Sequence, residues 1–258
     1  MSAGGMVMDR LELGDAQIAS FLGQVSPLVK LGIAVVWLLG LAFTLAIAPP
    51  VALAVVALAA GLLLGGIPAG ILLRSLAPLA LAALGIGLSN IVFASVNTDP
   101  QATELIRIGP LRITVEAVVG AVGLMCRVAA IASVGAVFAL TTDATRLADS
   151  LVQQSRLSPR FAYGALAAYQ AIPRFGQDFT TLRQARRIRG LRGSWHPRLF
   201  LGVLVLAIRH ADRIAVAMDA RALGTGPRSR FREVRWTWRD PVVAVAAVVI
   251  LYAALRLA

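Results

Sequence analysis

The 258 residues are 58% apolar and carry a formal net charge of +12, although only 15% of the side chains are charged. Soluble domains run at about 45–50% apolar residues, so this composition excludes an ordinary soluble globular protein and points to membrane-embedded helices. The single cysteine, Cys126, excludes an intramolecular disulfide and a CxxC metal pair, and it reads as a small apolar filler.

The first 25 residues carry Asp9, Arg10, Glu12 and Asp15 ahead of any long apolar stretch, which is not the layout of a secretory signal. Ala16 to Val25 reads either as a short amphipathic helix on the membrane surface or as a loosely ordered terminus. Membrane spans are expected where about 20 mostly apolar residues run together. Leu31 to Ala48, just after Lys30, is the first, and Pro49–Pro50 breaks it. Val51 to Ile67 is the second and forms a helical hairpin with the first. Pro68 then begins a short interfacial piece carrying Arg74, and Leu79 to Val96 is the third span. Asn97 to Glu116 reads as a mixed polar loop around a Gly109–Pro110 turn. Val115 to Leu140 is the fourth span, interrupted only by Arg127. A charge near mid-membrane is expensive and faces protein or water. Arg127 is therefore either an internal helix–helix anchor or a contact with another subunit. Pro241 to Leu257 is the fifth span, and no internal repeat stands out.

Eighteen arginines and seven acids lie between Thr142 and Asp240, so this stretch holds +11 of the total +12. Arg146, Arg235 and Arg239 flank spans four and five, and the positive-inside rule puts this side in the cytoplasm. Five spans then place the N-terminus inside, with Lys30 and Arg74, and the C-terminus outside. Within the basic stretch, Thr141–Thr142–Asp143 can cap a helix running to Gln154. Ser158–Pro159 starts another, from Arg160 to about Ile172, that ends or kinks at Pro173. A third runs from about Arg174 to Arg189 with an apolar stripe of Phe175, Phe179 and Leu182. Its last turn holds Arg186, Arg187 and Arg189, and Gly190 can be its left-handed cap. A fourth runs from about Arg198 to Leu223, with Ala220 and Arg221 in its last turn and Gly224 just beyond. Each ending suits plain macrodipole capping, worth about 0.3–1 kcal/mol. Each also suits a projecting guanidinium aimed at carboxylates of a partner. His196 and His210 lack metal-ligand spacing and read as surface or interface residues.

Several of these motifs together carry a family resemblance. Ser26-Pro27-Leu28-Val29-Lys30-Leu31, Arg127, Thr141-Thr142 and Leu157-Ser158-Pro159 contribute. The most specific are Ala168-Tyr169-Gln170-Ala171-Ile172-Pro173, Gln184-Ala185-Arg186-Arg187-Ile188-Arg189-Gly190 and Ala220-Arg221-Ala222-Leu223-Gly224. In these the chain resembles the transmembrane T component of energy-coupling factor (ECF) transporters, the family that includes the cobalt permease component CbiQ. That family carries two short Ala-Arg-Gly motifs at the ends of coupling helices. They fall here on Ile188-Arg189-Gly190 and Ala220-Arg221-Ala222; isoleucine replaces the first alanine of one, and alanine replaces the last glycine of the other.

The resemblance implies a non-catalytic subunit, without cofactor or metal, of an ABC-type importer for a vitamin or a transition-metal ion. Its partners would be two cytoplasmic ABC-type ATPase subunits, docked through Arg189 and Arg221 with Arg186, Arg187, Gly190 and Ala220 beside them. A small membrane substrate-binding S component would be the third partner, with membrane lipid around it and no nucleic acid. The implied architecture is an all-α, polytopic protein of the cell membrane with about five transmembrane helices. Residues 1–29 form an N-terminal cytoplasmic segment and 30–141 a four-helix transmembrane region. Residues 142–240 hold the cytoplasmic coupling helices, and 241–258 the C-terminal transmembrane helix. No P-loop, Gly-x-Ser-x-Gly or HExxH motif supports an enzyme. Two alternatives are a self-sufficient secondary transporter, disfavoured by the missing repeat and sparse midplane polarity, and a scaffold that binds anionic lipid through its basic segment.

Overall fold

The computed structural model describes residues 19–44, 46–99, 101–108, 111–191, 196–223 and 232–257. The N-terminal reading over residues 1–18, the Gly109–Pro110 turn and Gly224 lie outside the described residues. In chain order the elements are α1 (Phe21–Gln24), α2 (Pro27–Ala42), α3 (Ala48–Leu63) and α4 (Ala69–Phe93). A 3-10 turn (Ser95–Thr98), strands β1 (Glu104–Ile108) and β2 (Leu111–Thr114), and α5 (Val115–Thr141) follow. Then come α6 (Ala144–Gln153), α7 (Pro159–Ile188), α8 (Pro197–Ala220) and α9 (Arg239–Leu255). Chain contacts divide them into an apolar unit, within 14–143 and 235–258, and an arginine-rich unit, within 144–234.

Proline placement explains where the helices differ from the sequence expectation. Pro27, Pro49, Pro50, Pro159 and Pro197 all lie in first helical turns, where a missing N–H removes no intrahelical bond. Pro49–Pro50 therefore opens α3, and α2 has already ended at Ala42. Pro78 and Pro173, by contrast, sit inside continuous helices. The expected interfacial piece with Arg74 and the third span are one 25-residue helix. The two helices expected on either side of Pro173 are one 30-residue helix. An interior proline costs about 3 kcal/mol. Stopping the helix there would orphan four carbonyls and four N–H groups instead, so continuation wins.

The expected polar loop holds an antiparallel hairpin, with Ile106 paired to Ile113 and Arg107 to Arg112. Its runs Leu-Ile-Arg-Ile and Leu-Arg-Ile-Thr are strand-like segments around a turn, a signal that the scattered charges concealed. Asn97 ties this hairpin down. Its Oδ1 accepts the Thr114 N–H at 3.1 Å and the Thr114 hydroxyl at 3.0 Å, while its Nδ2 donates to the Ile91 carbonyl at 2.7 Å. Thr114 in turn caps α5 by accepting the Ala117 N–H.

The core of the apolar unit joins Trp37 and Leu41 of α2, Leu53 and Ala57 of α3, Ala130 and Val134 of α5, and Ala247 and Ala254 of α9. The Trp37 indole N–H finds the Ala247 carbonyl at 3.0 Å. Small residues bring the helices close. A Cβ added to Gly87 of α4 would lie 1.8 Å from Met125 Cε of α5, and one added to Gly61 would lie 2.8 Å from Val137 Cγ2. Outward positions stay apolar: Val55, Leu81 and Val248 are exposed, the reverse of a soluble surface. Among the described residues, Ala69–Thr98 and Val115–Thr141 are long and apolar enough to cross a membrane. Helices α2, α3 and α9 have 16, 16 and 17 residues. At 1.5 Å per residue they reach roughly 24–26 Å.

The arginine-rich unit is a helical hairpin with α6 beside it. Arg160 Nε, at the start of α7, donates to the Leu223 carbonyl just past α8 at 3.0 Å. Further along, the Phe179 and Phe200 rings lie 5.9 Å apart, and Leu182 packs against the bare face of Gly202. These pairings run in opposite directions along the two helices, so α7 and α8 are antiparallel. The Tyr163 hydroxyl joins α7 to α6 by donating to buried Asp149 at 2.8 Å.

Candidate docking site at two helix ends

Helices α7 and α8 end in the same way, residue for residue. At the end of α7 the Arg189 N–H bonds the Ala185 carbonyl, the Gly190 N–H the Arg187 carbonyl, and the Leu191 N–H the Arg186 carbonyl. At the end of α8 the Arg221 N–H bonds Ala217, the Ala222 N–H bonds Asp219, and the Leu223 N–H bonds Met218. Both sets form a Schellman motif, with the 6→1 and 5→2 bonds that satisfy the orphan carbonyls. The arginine is the C-cap in each case, and the next residue is left-handed: φ is +70° at Gly190 and +54° at Ala222. The sequence pointed to a helix reaching Leu223 with Gly224 beyond. The helix instead stops at Ala220, and Ala222 takes the left-handed position. A Cβ there is unfavourable by about 1–2 kcal/mol, which the three closing hydrogen bonds offset.

Because α7 and α8 are antiparallel, the two arginine ends sit at opposite ends of the hairpin. Arg221 lies level with the first turn of α7, so roughly 40 Å of helix separates it from Arg189 at 1.5 Å per residue. Arg187, Arg189, Gly190, Ala220 and Arg221 are exposed. Arg186 is half-buried, and its Nε is buried without a partner among the described residues. The geometry thus presents two guanidinium groups on capped, ordered turns. A planar fork of donors in that setting suits bidentate pairing with a carboxylate.

Arg127, in the middle of α5, is placed differently. It is half-buried, and its Nη2 donates to the Thr44 carbonyl in the connection between α2 and α3. His196 accepts the Arg198 N–H on Nδ1 at 3.1 Å and caps α8, and Cys126 is a half-buried free thiol.

Lys30 and Asp240, two of the buried charges among the described residues, escaped the sequence reading as site residues. Lys30 is 8% exposed and Asp240 is 1% exposed. Each lies in an opening turn, where the sequence shows only a charge flanking an apolar run.

Apolar outward faces, long helices with few charges and an arginine-rich hairpin define an all-α membrane protein. Residues 20–232 match the CbiQ family, described as cobalt transport protein, and the chain belongs to that family. Its role is in transport. An energy-coupling factor transporter transmembrane protein of Lactococcus lactis subsp. cremoris (strain MG1363) is 25% identical over 207 residues, covering 74% of this chain and 76% of that protein. A protein of the same name from Brevibacillus brevis (strain 47 / JCM 6285 / NBRC 100599) is 35% identical over 77 residues, 30% of this chain and 27% of that protein. A putative ABC transporter ATP-binding protein of Bifidobacterium longum (strain NCC 2705) is 29% identical over 174 residues, 60% of this chain and 22% of that protein.

Proposed function

We propose that the chain is the transmembrane energy-coupling subunit of an ECF-type ABC importer. In this reading Arg189 and Arg221 each enter a groove of one cytoplasmic ATPase and pair with its acidic residues. Gly190 and Ala220 hold the backbone close on either side, and Arg186 and Arg187 add positive charge. Closure of the ATPases on ATP draws the two ends of the α7–α8 hairpin along. Exposed apolar side chains on these helices, among them Phe161, Ile172, Leu201 and Leu204, suit a small membrane S component that selects a vitamin or a transition-metal ion.

The reading divides the chain into a cytoplasmic segment 1–29, transmembrane helices within 30–141, coupling helices within 142–240 and a last transmembrane helix within 241–258. Five spans leave the N-terminus cytoplasmic and the C-terminus outside, and Arg127 serves as an internal anchor of the membrane helices. The names of the Lactococcus and Bifidobacterium relatives support a pairing with ATP-hydrolysing subunits.

The observation that carries the proposal is the identical capped ending with a C-cap arginine at both ends of one hairpin. One such ending is ordinary helix chemistry; two, set roughly 40 Å apart, suit a pair of subunits. The test is co-purification of co-expressed ATPases with a tagged chain carrying Arg189→Glu and Arg221→Glu. The ATPases are expected to be lost while the chain stays inserted. Recovery at the unaltered yield sinks the proposal.

A further inference from the structure

The chain leaves the apolar unit after Asp143 and re-enters it at Arg235. Both passages are tied to a single turn of α2. Lys30 Nζ donates to the carbonyl of Thr141, the last residue of α5, at 2.6 Å. One turn earlier the Ser26 N–H donates to Asp240 Oδ1 at 2.8 Å, and the other oxygen of that carboxylate accepts the Thr237 N–H at 2.8 Å. All these groups belong to the apolar unit, and Ser26, Lys30, Thr141 and Asp240 are each under 9% exposed. Beside them Arg239 bonds the Gln24 side chain and stacks over Phe21 at 5.2 Å.

The chemistry matches the task. A helix C-terminus leaves carbonyls without intrahelical partners and carries partial negative charge, and a helix N-terminus the reverse. Lys30 supplies the compact ammonium that the end of α5 lacks, and Asp240 the carboxylate that the starts of α2 and α9 lack. Lys30 is also the single lysine beside twenty-four arginines. A small three-donor cation fits a buried carbonyl where a planar guanidinium needs more room.

We propose that Lys30 and Asp240, acting through the Ser26 turn, clamp the outgoing and returning chain at a fixed spacing. A displacement of the arginine-rich unit then reaches the apolar helices instead of being absorbed in the two connections. The use of the clamp rests on the coupling-subunit reading; the fixed spacing does not. Lys30 and Asp240 are positioning residues, buried within the apolar unit.

The test places spin labels on the two passages, with Thr142→Cys and Trp236→Cys in a Cys126→Ser background. The distance distribution is measured by electron paramagnetic resonance, on the chain alone and on its complex with co-expressed ATPases, nucleotide-free and vanadate-trapped. The clamp predicts one narrow distribution that trapping does not move. Lys30→Met and Asp240→Asn should each at least double its width and make its mean shift on trapping, with ATPase co-purification unchanged because Arg189 and Arg221 are intact. Asp240→Asn preserves shape and serves where Lys30→Met fails to insert. An unchanged width in the variants overturns the clamp and leaves the docking proposal standing. Failure of the unaltered chain to retain ATPases overturns docking, while the widths measured on the chain alone still decide the clamp.

Discussion

The two units use basic side chains in opposite ways. In the apolar unit, Lys30 and Arg127 turn inward to backbone carbonyls left over at a helix end and in a helix connection. In the arginine-rich unit, Arg189 and Arg221 are exposed C-cap residues, and the carbonyls of their own last turns accept backbone N–H groups. The first pair donates to carbonyls within the unit; the second caps helix ends whose last carbonyls already accept backbone N–H groups. Whether a basic side chain is drawn onto a backbone carbonyl thus depends on whether the carbonyls near it already have partners.

The largest expected effect tests the outward pair. Truncating one side of a buried, hydrogen-bonded interfacial charge pair costs about 2–5 kcal/mol. Arg189→Glu with Arg221→Glu should therefore weaken ATPase binding by about a thousandfold or more, read as loss of co-purification. Each single reversal should weaken it less, and a single change with the full effect would mean that one end carries the docking.

Next comes the inward side. Arg127→Met leaves the Thr44 carbonyl without its donor, which should lower resistance to thermal unfolding in detergent by about 1–3 kcal/mol. An unchanged or raised stability would instead mark Arg127 as a contact for another subunit. Asn97→Ala removes the acceptor for two buried Thr114 donors and should cost about 1–2 kcal/mol, with faster hydrogen exchange across 111–117.

The smallest effects compare the two caps with each other. Gly190→Ala should destabilise its turn by about 1 kcal/mol, and Ala222→Gly should stabilise its own by about the same. Hydrogen exchange at 189–191 and 221–223 reads both, and opposite signs are required if the two turns share one geometry.

Local features of the sequence were enough for some of this. Apolar runs gave away the membrane helices, because burial in lipid is a property of each segment by itself. The all-α expectation holds for the same reason. Gly190 was legible as a left-handed cap from its place after a basic last turn. Ala222 was not, since alanine disfavours that conformation and three backbone bonds decide it. Pro78 and Pro173 look like breaks when each residue is weighed by its own propensity, yet both helices continue through them. The hairpin after α4 had a readable strand signal, but its anchor on Asn97 did not.

By itself, then, the sequence determined the helical membrane class, the concentration of arginine in one stretch and the arginines near two helix ends. Only the tertiary structure decided that those ends lie at opposite tips of an antiparallel hairpin. It alone also decided that Lys30 meets Thr141 and that Ser26 meets Asp240, more than a hundred residues apart in each case. Hydropathy and capping act within a few residues and can be read along the chain. Which carbonyl a buried ammonium reaches depends on how distant helices pack, and no local pattern records it.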